Sequence, residues 1–271
     1  MFRTLTFNNR IITYGGSILQ TQLDPLTSTL LDYAGDFGYQ LPTNIIALNG
    51  LIKAINPILD KLDLMYLFNA NGDVNFRTLN VVNPEMYKAS AFGGLIWSES
   101  GVKGNGTNGY LDTNFNPSLA PVGQKYQINN ASMGAIIDKR GSTNAVVNGI
   151  ITGFGGRINI TENSRINSGS SGLFPAFITG ATGLSVLQRI SDTDLVGIFR
   201  DVETLGSTPS FGLDASNRLI LARYNTASVM NYGAVLLSMY FEGAALTFAE
   251  SQTLRAAFNN YLVNINQTPI A

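Results

Sequence analysis

Between Asn44 and Phe68 the apolar residues Ile45, Leu48, Ile52, Ile55, Leu59, Leu62 and Tyr66 recur at alternating steps of three and four. That rhythm belongs to a helix with one apolar stripe, and its length reaches the lower limit for a coiled coil. Asn56-Pro57 interrupts it, because proline inside a helix removes a hydrogen bond and clashes with the preceding turn. The sequence therefore predicts two helices, with Asn56 capping the second and Pro57 at its first position. Upstream, residues 25–33 read as a short helix, and two β-prone runs within residues 2–14 flank Asn8-Asn9. Asparagine tolerates positive φ, so the pair predicts a small hairpin. Such a hairpin is marginal alone in water; it must lean on its own domain or dock onto a neighbour. Near the other end, Thr247-Phe-Ala-Glu250 matches a capping box. Leu254, Ala257, Phe258, Tyr261, Leu262 and Ile265 follow as one apolar helical face.

After Asp73 the helical rhythm stops. Segments 92–97, 110–115, 131–138, 145–152, 157–161, 184–190, 194–200, 210–213, 219–224 and 234–242 are β-prone and separated by turns of Gly, Asn, Ser or Asp. Many short strands with no helix between them predict an antiparallel sandwich or barrel rather than a βαβ fold.

Composition narrows the chemistry. The 271 residues are 45% apolar and 13% charged, which suits a folded domain and opposes disorder. A net charge of -1 supplies no basic field, so nucleic acid is not an expected partner. No apolar run approaches 18 residues, and Met1-Phe-Arg-Thr-Leu-Thr has no signal-peptide core, so membrane insertion and self-directed secretion are not expected. The chain has neither Cys nor His. That removes disulfides, thiol nucleophiles, the usual neutral-pH general base and the commonest metal ligands. The 28 glycines and 28 asparagines, against 6 lysines, fit many tight turns.

Residues 101–118, GVKGNGTNGYLDTNFNPS, join a Gly/Asn cluster directly to an alternating strand, Tyr110-Leu-Asp-Thr-Asn-Phe115. This wording resembles the strand that opens laminin-G/concanavalin-A-like jelly rolls in phage structural proteins. The order of later pieces is similar too: the strand pair at Leu184–Arg189 and Leu195–Asp201, the strand Met239-Tyr-Phe-Glu-Gly243, the capped helix at Thr247 and Tyr261-Leu262. The likeness covers roughly residues 69–265. The segment Lys61-Leu-Asp-Leu-Met-Tyr66-Leu-Phe68 resembles the linker before such domains in phages of Bacteroidetes, the crAss-like type among them.

The resemblance implies a mainly β, antiparallel concanavalin-A-like jelly-roll sandwich over residues 69–271. It would carry an N-terminal arm (1–43), a helical linker or oligomerisation segment (44–68) and a C-terminal amphipathic helix. It implies a virion protein: a capsid decoration, head fibre or tail appendage, made in the bacterial cytoplasm and displayed on the particle. Expected partners are other capsid or tail proteins and further copies of the chain. The stripe Ile45, Leu48, Ile52, Ile55, Leu59 and Leu62 reads either as packing against the chain's own sandwich or as an oligomerisation bundle between subunits. The alternative is an adhesin for host-surface glycan; a polysaccharide-degrading enzyme of the same fold is the third reading.

Several catalytic patterns fail on context. Gly104-Asn-Gly106-Thr-Asn-Gly109 spells G-x-G-x-x-G, but a strand follows where a dinucleotide site needs a helix. Asp112-Thr-Asn114-Phe-Asn116 begins like a calcium loop, yet Pro117 and Gly123 stand where Gly and a bidentate Glu are required. No cofactor is expected; a looser calcium site on Asp112 and turn carbonyls is the one cation reading left open. No close carboxylate string of the glycoside-hydrolase kind occurs, so catalytic residues are not expected. Sugar binding needs an aromatic face beside amide or carboxylate partners. Trp97, Tyr110, Asp112 and Asn114 are the candidates, with Tyr126, Tyr224 and Tyr232 as further rings.

Overall fold

The computed structural model describes residues 2–7, 10–15, 23–119, 122–138, 146–149, 157–159, 164–168, 182–213, 215–225, 228–230 and 232–270. In chain order the elements are β1 (Phe2–Phe7), β2 (Arg10–Gly15), α1 (Pro25–Asp36), α2 (Ile45–Leu59), β3 (Leu62–Leu67), α3 (Val74–Arg77), β4 (Ser90–Phe92), β5 (Ile96–Ser98), β6 (Gly101–Lys103) and β7 (Tyr110–Asp112). There follow β8 (Ala131–Asp138), β9 (Val146–Gly149), β10 (Arg157–Asn159), β11 (Gly183–Arg189), β12 (Asp194–Phe199) and β13 (Val202–Ser207). The last are β14 (Leu219–Ile220), β15 (Arg223–Asn225), β16 (Ser228–Met230), β17 (Leu236–Gly243) and α4 (Phe248–Asn264). The architecture is mainly β and antiparallel, with few helices.

Three layers stack. A five-stranded sheet runs β10-β9-β14-β7-β4, and an eight-stranded sheet runs β13-β12-β11-β8-β17-β6-β5 with β3 also paired to β17. The inner faces of the two sheets meet through Leu111, Phe115, Val147 and Ile220 on one side and Met133, Ala135, Ile137, Leu187 and Tyr240 on the other. Alternation sends the intervening residues Ile136, Leu184, Val186, Met239 and Phe241 to the opposite face, where α1, α2 and α4 cover them. Each fully buried Leu, Ile or Phe contributes roughly 1.5–3 kcal/mol, so the helical layer is part of the domain rather than an appendage. Gly134 lies opposite Phe241 in the β8–β17 register, where a Cβ would sit 2.2 Å from the Phe241 ring. The glycine lets that ring lie flat across the sheet.

The early stripe folds differently from its rhythm. Residues 45–59 form one helix, and Pro57 lies inside it. Pro57 is exposed in the last turn, where its missing N–H costs the helix a single bond near the end. Asn56 is therefore an exposed mid-helix residue and not a cap. The stripe also leaves the helix: Leu62 and Tyr66 belong to β3, antiparallel to β17, which corrects the helical linker over residues 44–68. Ile45, Leu48, Ile52, Ile55, Leu59 and Leu62 are all buried within the chain's own core. Of the two readings of the stripe, packing within the chain's own domain is the one observed, and the oligomerisation role expected of these residues is corrected accordingly.

The N-terminal hairpin pairing forms, with Phe7↔Arg10 as its innermost pair, and α4 carries the complete capping box. The helix expected at 25–33 extends to Asp36, started by the Asp24 carboxylate on the Leu26 N–H. The single strand expected over 92–97 is two strands in different sheets, divided by the positive φ of Gly93. Likewise 219–224 holds the two short strands β14 and β15, and 210–213 holds no strand. β6 and β13 occur where no strand was expected; β13 is an exposed edge. Residues 145, 150–152 and 160–161 of the expected strands lie outside the described residues, as do Asn8, Asn9 and the turns at 140–142 and 169–172. Among the described residues no helix is long and apolar enough to cross a membrane.

Candidate functional site

The Gly/Asn loop of residues 104–109 is a hub. Asn105 Oδ1 accepts from the backbone N–H of Thr107, Asn108 and Gly109 at 3.0, 3.0 and 2.9 Å, while its Nδ2 donates to Asn108 Oδ1 at 2.7 Å. The folded loop then presses against two distant segments. Asn108 Oδ1 accepts from Gly94 N at 3.0 Å, and a Cβ on Gly93 would lie 2.0 Å from the Asn108 carbonyl oxygen. On the other side Gly106 N donates to Gly233 O at 3.3 Å, and a Cβ on Gly104 would lie 2.0 Å from that same oxygen. Only backbone without side chains fits these approaches. The G-x-G-x-x-G spelling is thus a packing device.

Each clamped segment carries a ring next to the clamp. Phe92 precedes Gly93, Tyr110 follows Gly109, and Tyr232 precedes Gly233. In the β4–β7 register Phe92 faces Tyr110 directly, and their rings lie 4.9 Å apart at 12°. That spacing exceeds the roughly 3.5–4.0 Å carbon contact of fully overlapped rings, so the two stack with a lateral offset. Tyr232 stands 6.1 Å from Tyr110 at 38°. Phe92 is 44% exposed, whereas Tyr110 and Tyr232 are half-buried. The three form a row on the outer face of the five-stranded sheet, with Leu111 pointing the other way into the core.

Polar groups border the row. Asp112 lies two residues along β7 from Tyr110, hence on the same face. Its Oδ1 accepts from Asn114 N at 2.8 Å and its Oδ2 from Asn217 Nδ2 at 3.3 Å. Asn114, at φ 58, donates to Lys88 O at 2.8 Å and Ser90 Oγ at 3.3 Å. Asp112 and Asn114 thus hold the β4–β7 edge in register beside the rings. No group of three or more His, Cys, Asp or Glu lies together among the described residues, and Asp112 has amide partners where a calcium site needs several oxygens. Trp97 is elsewhere: on β5 of the other sheet, edge-on to Phe68 at 6.2 Å. The structure brings Tyr110, Asp112 and Asn114 together and leaves Trp97 out. Tyr126 is fully buried, and the Tyr224 side chain lies outside the description.

Between the sheets sits a polar chain with no exposure. Arg218 Nε meets Glu242 Oε2 at 3.0 Å; Tyr240 OH donates to Glu242 Oε1. Arg218 Nη2 donates to Tyr126 OH at 2.8 Å, and Tyr126 OH to Asn167 Oδ1 at 2.9 Å. Burial pushes the Glu242 carboxyl above the usual carboxylate range, against the Arg218 charge and the Tyr240 hydrogen bond. Asp63 receives the amides of Lys125 and Tyr126, yet burial raises its carboxyl too. Nothing sequence reasoning used distinguishes Glu242 and Arg218 as interior; a charged residue on an inward parity of a strand was the available signal. Being closed to solvent, the pair ties the sheets together and offers no substrate access.

Phe92 was missed as a candidate. Its signal was the Gly-Gly pair that follows it, which breaks the strand and leaves the ring at an edge.

No protein-family model matches the chain, and no curated protein matches it. Similar solved structures exist. A mutant Trypanosoma rangeli sialidase displaying trans-sialidase activity aligns with 80% of this chain at TM-score 0.51 and 11% identity. The alignment spans 38% of that enzyme's chain, so the likeness concerns part of it. Domain 4 of AbnA, a GH43 extracellular arabinanase from Geobacillus stearothermophilus in complex with arabinotriose, aligns with 72% of this chain and 98% of its own, at TM-score 0.46 and 13% identity. The receptor-binding domain of botulinum neurotoxin C/D mosaic serotype covers 77% of this chain and 52% of its own, at TM-score 0.45 and 10% identity. The sialidase likeness speaks for the antiparallel sandwich fold.

Proposed function

We propose that the chain is a non-catalytic glycan-recognition module carried on the surface of a phage particle. The observation that carries the recognition half is the row Phe92–Tyr110–Tyr232, held by backbone clamps and bordered by Ser90, Asp112 and Asn217. Rings offer apolar faces to the C–H side of a sugar, and adjacent amides and hydroxyls orient its hydroxyl groups. A non-catalytic role is supported by the enclosure of Glu242 and by the lack, among the described residues, of a second carboxylate beside Asp112 at the row. The neighbours named above include an arabinanase domain solved with arabinotriose and a toxin's receptor-binding domain, and a binding role is compatible with both.

The virion half rests on the ordered likeness to phage jelly rolls described in the sequence. Attachment would use surfaces other than the α2 stripe, among them the hairpin β1–β2. The test has two arms. Titration calorimetry against host capsule and lipopolysaccharide saccharides should give binding that Tyr110→Ala weakens at least tenfold. Mass spectrometry of purified particles should find the chain; a protein that stays in the lysate, away from particles, would overturn the virion assignment.

A further inference from the structure

The row has direction, and direction constrains the ligand. Phe92 is on β4, Tyr110 on β7, and Tyr232 is fixed through Gly233, whose N–H donates to Leu221 O at 2.7 Å just beyond β14. Strand order β4-β7-β14 therefore sets the rings in sequence across the sheet, with Tyr110 in the middle. The successive centroid spacings are 4.9 and 6.1 Å, on the scale of one sugar ring to the next along a glycan. A single terminal sugar would cover one ring and leave the others in water. A chain lying across the strands would cover all three.

Charge narrows the class further. The groups the fold brings to the rim are Ser90, Asn105, Asn108, Asp112 and Asn217: hydroxyl, amides and one carboxylate. None of these described groups is a cation. A glycan bearing carboxylates would face Asp112 with no counter-charge among them, and like charges brought together on binding oppose association. A neutral chain faces no such penalty, and the carboxylate is a strong acceptor for its hydroxyls.

We infer that the ligand is a neutral, linear oligosaccharide or polysaccharide bound along its length, with consecutive sugars over Phe92, Tyr110 and Tyr232. This rests on the glycan-recognition reading. The site is an internal-chain binder, indifferent to chain ends, and it discriminates against uronic and sialic acids.

The test uses the full chain against neutral ladders, cello-, manno-, xylo- and arabino-oligosaccharides from the monosaccharide to the hexasaccharide, with sialyllactose and oligogalacturonates as charged probes. Affinity for one neutral ladder should climb by roughly three- to tenfold per added unit, the scale of one aromatic pair contact, and level off after about the third. Phe92→Ala is the second arm, chosen because this exposed edge residue is dispensable to the core. It should remove the last step of the climb. Flat affinity along every ladder, or tighter binding of the charged probes, would overturn the inference while leaving glycan recognition standing. Failure of every saccharide to bind would overturn both.

Discussion

Asn105→Ala should loosen the aromatic row without touching the core. The substitution removes one oxygen that accepts from three backbone N–H groups and one N–H that donates to Asn108 Oδ1. Thr107 and Asn108 are exposed, so water replaces most of what their amides lose. Gly109 is buried, and its orphaned N–H carries the larger cost of about 1–3 kcal/mol. With modest losses from the other three bonds the total comes to about 2–4 kcal/mol. For a domain of this size that lowers Tm by roughly 5–10 °C, at a few degrees per kcal/mol. Asn105→Asp keeps the accepting oxygen and loses only the donor, so it should cost about 1 kcal/mol. Denaturant melts give the stabilities, and calorimetry with the best-binding neutral oligosaccharide gives the affinity of protein that remains folded. The alanine variant should bind at least tenfold more weakly; the aspartate variant should stay close to the parent. A melt within half a kcal/mol of the parent (judged against that 2–4 kcal/mol estimate) would refute the hub. So would full affinity in a clearly destabilised alanine variant, because the loop would then not be aligning the rings.

Glu242→Gln leaves the buried Arg218 guanidinium uncompensated and should cost about 3–5 kcal/mol, whereas the double replacement Arg218→Met with Glu242→Leu should recover most of it; a double-mutant cycle by denaturant melts checks this. Gly134→Val drives a side chain into the Phe241 ring and should destabilise by about 1–3 kcal/mol, with partial rescue by Phe241→Leu. For Glu250, burial pushes the carboxyl up, but hydrogen bonds from Lys61 and Thr247 outweigh that and hold it below its ordinary value. Its contribution is therefore present above the ordinary carboxylate value and lost as pH falls through the folded value. Melts along an acid series should show Glu250→Gln with a shallower loss of stability over that window, and an unchanged slope would contradict the assignment.

What the sequence disclosed followed from strong local rules. Thr247 and Glu250 announced a helix start, Asn8-Asn9 a hairpin, and 131–138 a strand, each settled by residues within a few positions. The stripe through Leu62 and Tyr66 misled because spacings of three and four also occur by chance in a strand apolar on both faces. β3 is such a strand, with Leu64 and Tyr66 in one core and Met65 and Leu67 in the other. Pro57 misled because its cost depends on how close to the helix end it falls, which spacing does not encode. At the site, Tyr110, Asp112 and Asn114 were legible from one alternating segment. Tyr232 was one ring among several, since its nearness to Tyr110 depends on contacts across more than a hundred residues; Phe92 went unnoticed because the pairing of its short strand with β7 is not encoded in spacing.

The hub at residues 104–109 grips its neighbours through main-chain atoms, glycines and two asparagine side chains. Ring identity is consequently uncoupled from scaffold integrity. A lineage could exchange Phe92 for tryptophan, or Tyr232 for a smaller residue, and retune which surface it recognises while the folding unit stays intact. That separation would suit a protein whose target changes faster than its architecture can.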